Sequence, residues 1–127
     1  MIDKIGKITI YVNNQEEAKE FWINKMNFIV KLEKQMGPSM KWLEVGPSKE
    51  EFTTFVIYDK NMMLSQNPKA NVNHPNIILS TRDIENTYNK MKSNEVEVGE
   101  LMIMPYGKIF SFKDQDGNDY LVREDIY

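Results

Sequence analysis

The chain has 127 residues, with 16 basic and 19 acidic side chains, a formal net charge of −3, one histidine and no cysteine. That length fits one compact domain or two small half-domains sharing a core, and the absence of thiols excludes disulfides, thiolate catalysis, zinc ribbons and iron–sulfur clusters. No run of Lys or Arg offers a footprint for nucleic acid, no apolar run approaches a membrane span and the N-terminus has no apolar signal region, so a cytoplasmic protein is expected.

From Lys7 the chain alternates. Ile8, Ile10 and Val12 point one way, and Lys7, Thr9 and Tyr11 point the other. This predicts a strand with a greasy face packed on a helix and a polar face open to a surface or cleft. Asn14 is placed to cap the following helix, and Glu17 three residues later has the capping-box spacing. Ala18, Phe21, Trp22 and Met26 form an apolar stripe on that helix, read as core. Strands are predicted over 27–33, 40–45 and 52–58, separated by the turn signals Met36-Gly37-Pro38-Ser39 and Gly46-Pro47-Ser48. Residues 59–75 hold four Asn and two Pro with no clear period, and read as a connection.

A second module begins at Asn76. Its helix spans 83–93 with Ile84, Thr87, Tyr88 and Met91 on one face, and Asn94 follows at the C-terminus. Strands are predicted over 95–102, 108–113 and 119–123, with Pro105-Tyr106-Gly107 and Asp114-Gln115-Asp116-Gly117-Asn118 as turns. The two halves recur faintly at an offset of 69 residues, which sets Asn14 over Asp83, Ala18 over Thr87, Trp22 over Met91 and Lys7 over Asn76. So long a period does not suit a solenoid, and it predicts two pseudo-symmetric halves in a single domain over 1–125. Module one covers about 1–58, the linker about 59–75 and module two about 76–125.

Two strand-helix-strand-strand-strand modules, with Phe112-Lys113-Asp114-Gln115-Asp116-Gly117-Asn118 before the last strand, resemble the vicinal-oxygen-chelate superfamily. That superfamily includes glyoxalase I, bleomycin-resistance proteins, fosfomycin-resistance proteins and extradiol dioxygenases. Its usual ending is Phe followed by Asp-Pro-Asp-Gly-Asn; here Gln115 replaces the proline. Phe21-Trp22 fills the place of the Phe-Tyr that usually ends the first-helix pattern. The resemblance implies an α+β fold of two βαβββ modules, with curved sheets forming a central cleft and helices outside.

In metal-dependent members the first-strand ligand is normally histidine, and its position falls here on Lys7, with Asn76 as its symmetry mate. The fourth-strand position falls near Thr54 or Phe55, and the final-strand glutamate position falls on Leu121. An ammonium is not a ligand, Leu and Phe carry no lone pair, and one amide oxygen cannot hold a divalent metal. No metal and no cofactor are therefore predicted. The strand acids Glu33, Glu44, Glu97 and Asp119 show no converging spacing, and His74, flanked by Pro75 and asparagines, reads as a turn histidine.

What remains is a cleft for a small organic ligand. Lys7, Thr9 and Tyr11 face it from one side, Asn76, Ile78 and Ser80 from the other. Leu121 and Arg123 join them from the last strand, with Trp42, Phe55, Phe110 and Phe112 as candidate aromatic lining. An inward Lys7 or Arg123 suits a carboxylate, phosphate or enolate. A buried Lys7 would also supply a base or a Schiff-base amine. The turn around Tyr106 is either a lid or a plain connector. The leading expectation is metal-independent binding of a small molecule by a homodimer. An enzyme (lyase, isomerase or dioxygenase) with relocated ligands or metal-free acid–base chemistry is the first alternative, and a non-catalytic assembly or regulatory protein is the second.

Overall fold

Burial in the first strand, β1 (Lys7–Val12), follows the alternation: Ile10 and Val12 are fully buried and Lys7 is exposed. The computed structural model describes all 127 residues and divides into two compact units, Met1–His74 and Pro75–Tyr127. No helix is long and apolar enough to cross a membrane.

In the first unit β1 is followed by α1 (Gln15–Glu20), β2 (Ile29–Gln35), β3 (Lys41–Gly46), β4 (Thr54–Asp59) and α2 (Lys60–Gln66). The strands lie in the order β1-β4-β3-β2, with β1 parallel to β4 and the other neighbours antiparallel. The Asn14 side chain caps α1 by accepting from the Glu17 amide. After Glu20 the helix widens into a π-helical turn over Phe21–Lys25. Ala18, Phe21 and Trp22 are all buried. Trp22 anchors this core, with ring centroids 4.8 Å from Phe28 and 5.2 Å from Phe55. The Gln15 amide at the start of α1 donates to the backbone carbonyls of both Lys41 and Ile57, which joins the helix to β3 and β4.

Two expectations change here. The segment read as a plain connection opens with α2, capped by Asp59, whose carboxylate accepts from the Met62 amide. Its apolar residues, Met62, Met63 and Leu64, are consecutive and only half-buried, so they give a periodicity reading no stripe to find. Met26, expected in the helix stripe, lies past the π-helical turn and is only half-buried.

The second unit runs β5 (Ile78–Thr81), α3 (Ile84–Ser93), β6 (Glu97–Val98), β7 (Met102–Met104), β8 (Gly107–Lys113) and β9 (Asp119–Glu124). Its sheet has the order β5-β9-β8-β6, with β7 also paired to β8, and β5 is parallel to β9. The single strand expected over 95–102 is thus two short ones. The break is at Gly99, whose amide bonds to the Ser111 carbonyl; a Cβ there would lie 2.6 Å from Ser111 Oγ. The α+β class and the duplicated order of elements are as the sequence predicts, each unit setting its first strand parallel beside its last.

The turn before β9 is held by a buried carboxylate. Asp114 accepts from the amides of Asp116 and Asn118, from Asn118 Nδ2 and from the Tyr120 hydroxyl. Burial pushes the Tyr120 phenol well above its ordinary pKa, and the adjacent Asp114 charge adds to the shift. Tyr120 stacks on Phe112 at 4.9 Å. The carboxylate holds the turn from four directions. Asp114→Ala removes the acceptor of four donors at once. Urea titration is expected to show unfolding free energy lower by about 3 kcal/mol, with Asp114→Asn intermediate.

Candidate functional site

In the first unit the strand pairing fixes which side chains share a face. Lys7, Thr9 and Tyr11 of β1 lie beside Thr54, Val56 and Tyr58 of β4. Glu44 of β3 lies beside Val56, while Leu32 and Lys34 of β2 lie beside Glu44 and Trp42. This face is the one turned away from Trp22 and α1.

Glu44 is its centre. The carboxylate is buried on a strand where a charge without partners would be strongly destabilising. It has partners on every side: Lys7 Nζ donates to Oε1 at 3.1 Å, Thr54 Oγ1 donates to the same oxygen at 2.8 Å, and Trp42 Nε1 donates to Oε2 at 2.7 Å. Burial pushes the carboxyl pKa up, but the bonds from Trp42, Thr54 and Lys7 outweigh it and hold the group below its usual 4.5. The pair is asymmetric in exposure, with the Lys7 side chain 51% exposed and that of Glu44 only 6%.

Beside this cluster sits an aromatic trio. Tyr58 packs edge-on to Trp42 at 6.3 Å and to Tyr11 at 5.9 Å. The Tyr58 hydroxyl donates to Gln66 Oε1 of α2, which ties that helix to the trio.

In the second unit Ile78 lies beside Leu121, and Ser80 beside Arg123. Arg123 is committed: Nε donates to Asp125 Oδ1 at 3.0 Å and a terminal nitrogen donates to the Tyr106 carbonyl at 2.7 Å. Ser80 donates to the other oxygen of Asp125. Gly107, at φ +143°, lies under the guanidinium, where a Cβ would come within 3.1 Å. Arg123 therefore pins the turn between β7 and β8. Asn76 is exposed in the extended segment leading into β5.

Of the sequence-predicted residues, Lys7, Thr9, Tyr11 and Trp42 come together on one face of the first unit, and Ile78, Leu121 and Arg123 on one face of the second. Phe55, Phe110 and Phe112 do not join them. Phe55 is in the core against Trp22, Phe110 packs on Tyr88 of α3 at 4.9 Å, and Phe112 stacks on Tyr120. Strand parity explains this, since each is an odd number of residues from the outward positions of its strand. Lys7 is half-exposed, which removes the burial that a Schiff-base role requires. Glu44, Thr54 and Tyr58 are the residues that sequence reasoning passed over as ligand-face groups. The Trp42-x-Glu44 spacing carried the signal, because it puts both on one face.

The strand pairing also settles the fourth-strand position. Ile78 pairs with Leu121, and Thr9, its mate at the 69-residue offset, pairs with Val56. The residue matching Leu121 is Val56 and not Thr54 or Phe55. The four positions thus carry an ammonium, an amide and two hydrocarbons, a donor set that does not fit a divalent metal. A separate acidic group, the exposed Asp83 and Glu85 with the half-buried Glu124, is already employed: Asp83 and Glu124 accept from the Asn86 and Ile84 amides that open α3, and Lys108 pairs with Glu85 at 2.8 Å.

Residues 4–120 match the Glyoxalase/Bleomycin resistance protein/Dioxygenase superfamily. The chain belongs to this superfamily. It is 44% identical over 126 residues to the uncharacterized protein YetH of Bacillus subtilis (strain 168), covering 98% of this chain and 100% of that one. Among solved structures it is similar to TnmS3, an antibiotic binding protein from Streptomyces sp. CB03234, with a TM-score of 0.78, 25% identity and 98% of each chain covered. A superfamily member from Sphaerobacter thermophilus DSM 20745 gives a TM-score of 0.81 at 25% identity, again with 98% of each chain covered.

Because the folded pKa of Glu44 lies below its unfolded value, its charge contributes stability above about pH 4.5, and that contribution is lost as pH falls through the folded value. Glu44→Gln lacks this term and leaves Lys7 without its counter-charge. Chemical denaturation is expected to show the variant clearly weaker than the parent at pH 7, with the gap closing below about pH 4.5.

Proposed function

We propose that this superfamily member binds a small organic molecule on the face of β1, β4 and β3 that carries Lys7, Trp42 and Tyr58, and does so without a metal. One observation carries the reading. The only carboxylate on that face, Glu44, is buried and filled by Lys7, Thr54 and Trp42, so it orients protein groups and is not left to coordinate an ion. The same bonds fix the Trp42 ring and the Lys7 ammonium before any ligand arrives, which lowers the ordering cost of binding. Tyr11 and Tyr58 extend the aromatic surface beside them. Aromatic surface with a few fixed polar groups is the usual make-up of a small-molecule site. The likeness to TnmS3, described as an antibiotic binding protein, supports the same reading.

Within this reading the protein acts as a cytoplasmic homodimer, and sedimentation should give twice the mass of one chain. Elemental analysis of protein purified without chelator is expected to find well under one Ni, Zn, Fe or Mn per chain. A screen of planar aromatic compounds by calorimetry should find binders whose affinity survives exhaustive chelation. Trp42→Ala should weaken them about tenfold, the scale of one lost aromatic contact. A tightly held stoichiometric metal, or affinity that vanishes on chelation, would overturn the proposal.

A further inference from the structure

We propose that the Lys7–Trp42–Tyr58 face of the first unit selects planar aromatic molecules carrying an acidic oxygen, such as a carboxylate or an acidic phenol, and that Lys7 is the group that reads the charge. This rests on the small-molecule reading above and names the ligand class for the same site.

The two ends of the Lys7–Glu44 pair are unevenly exposed. Its acid is sunk in the sheet at 6% exposure, while its ammonium stands half out at 51%. An approaching molecule therefore meets the positive end of the pair. Glu44 cannot turn outward to compete, because Thr54 and Trp42 hold it as well. The ammonium has three donors and spends one on Glu44 Oε1.

The rest of the face reinforces that sign. The strand pairing adds one more charged side chain to it, Lys34 beside Trp42, and no second acid. A chain with a net charge of −3 thus presents a locally cationic sheet face. The indole N–H of Trp42 is spent on Glu44 and the Tyr58 hydroxyl on Gln66. These two residues accordingly offer ring surface more than hydrogen bonds. A flat ring for Trp42 and Tyr58, joined to an oxyanion for Lys7, matches both kinds of group.

Three naphthalene probes of one ring size separate the possibilities in calorimetric titrations of the full chain: naphthoate, naphthamide and naphthyl-trimethylammonium. Naphthoate is expected to bind about tenfold more tightly than naphthamide, the scale of a charge-assisted over a neutral hydrogen bond, with the cation weakest. Lys7→Met should bring naphthoate to within about twofold of naphthamide, and Lys7→Arg should keep the order. Retained naphthamide binding shows that the variant site is intact. Lys7→Gln, which keeps a donor for Glu44, replaces the methionine variant if that one does not fold.

Naphthamide or the cation binding as tightly as naphthoate would overturn the charge selection and leave small-molecule binding standing. A naphthoate preference that survives Lys7→Met would do the same to the role of Lys7. Failure of all three probes to bind at millimolar concentration would count against the parent reading and overturn this one with it.

Discussion

Parallel pairing of the first strand with the last is the constraint on which each unit is built. A parallel neighbour cannot follow directly in sequence, so the chain must leave, form a helix and two or more further strands, and return. In the first unit the return sets Lys7 beside Thr54, residues far apart along the chain but adjacent in the sheet. Everything at the candidate site follows from that adjacency. The Glu44 carboxylate, arriving on β3, receives one donor from β1, one from β4 and one from its own strand. With any one of these removed, the sheet would bury a charge with incomplete compensation.

Much of this was legible in the sequence, and for identifiable reasons. Alternation from Lys7 to Val12 placed β1 and its two faces, the Asn14 cap placed α1, and the face of Ile84, Thr87, Tyr88 and Met91 placed α3. These are local signals, and local signals survive into the structure. The helix α2 was not legible because its apolar residues, Met62, Met63 and Leu64, are consecutive and only half-buried, and so have no helical period. The division of 95–102 was not legible because it depends on contact between Gly99 and Ser111, across two strands. At the candidate site, parity put Lys7, Thr9 and Tyr11 on one face, and Trp42, named for its aromatic character, lies with them. Phe55, Phe110 and Phe112 were misdirected by composition, since aromatic character suits a ligand surface and a core equally well and only strand pairing separates the two.

Within the superfamily, the chemistry that polarises vicinal oxygens needs a Lewis acid held by several lone pairs. This chain keeps the architecture and changes the electrical character of the positions. A cation is still present at the first-strand position, but it is a half-exposed ammonium on a flexible stem, paired with a carboxylate from β3 two strands away. An ammonium attracts anions and donates hydrogen bonds; it does not withdraw electrons through a coordinate bond. The position therefore lacks the coordinate bond that Lewis-acid chemistry needs, on a fold that hosts many functions.

The Gln15 amide has a consequence on the side of the sheet it never touches. The ladder between β3 and β4 pairs Glu44 with Val56 and Val45 with Phe55. Beyond those pairs Gln15 bridges the Lys41 and Ile57 carbonyls, so a side chain stands in for direct strand-to-strand bonding. On the opposite surface at that same end are Trp42 and Tyr58, with ring centroids 6.3 Å apart. The helix layer thereby acts as a spacer for the aromatic layer. The edge-on contact between those rings is set in part by a residue on the other side of the sheet, so a change in the aromatic surface can originate behind it.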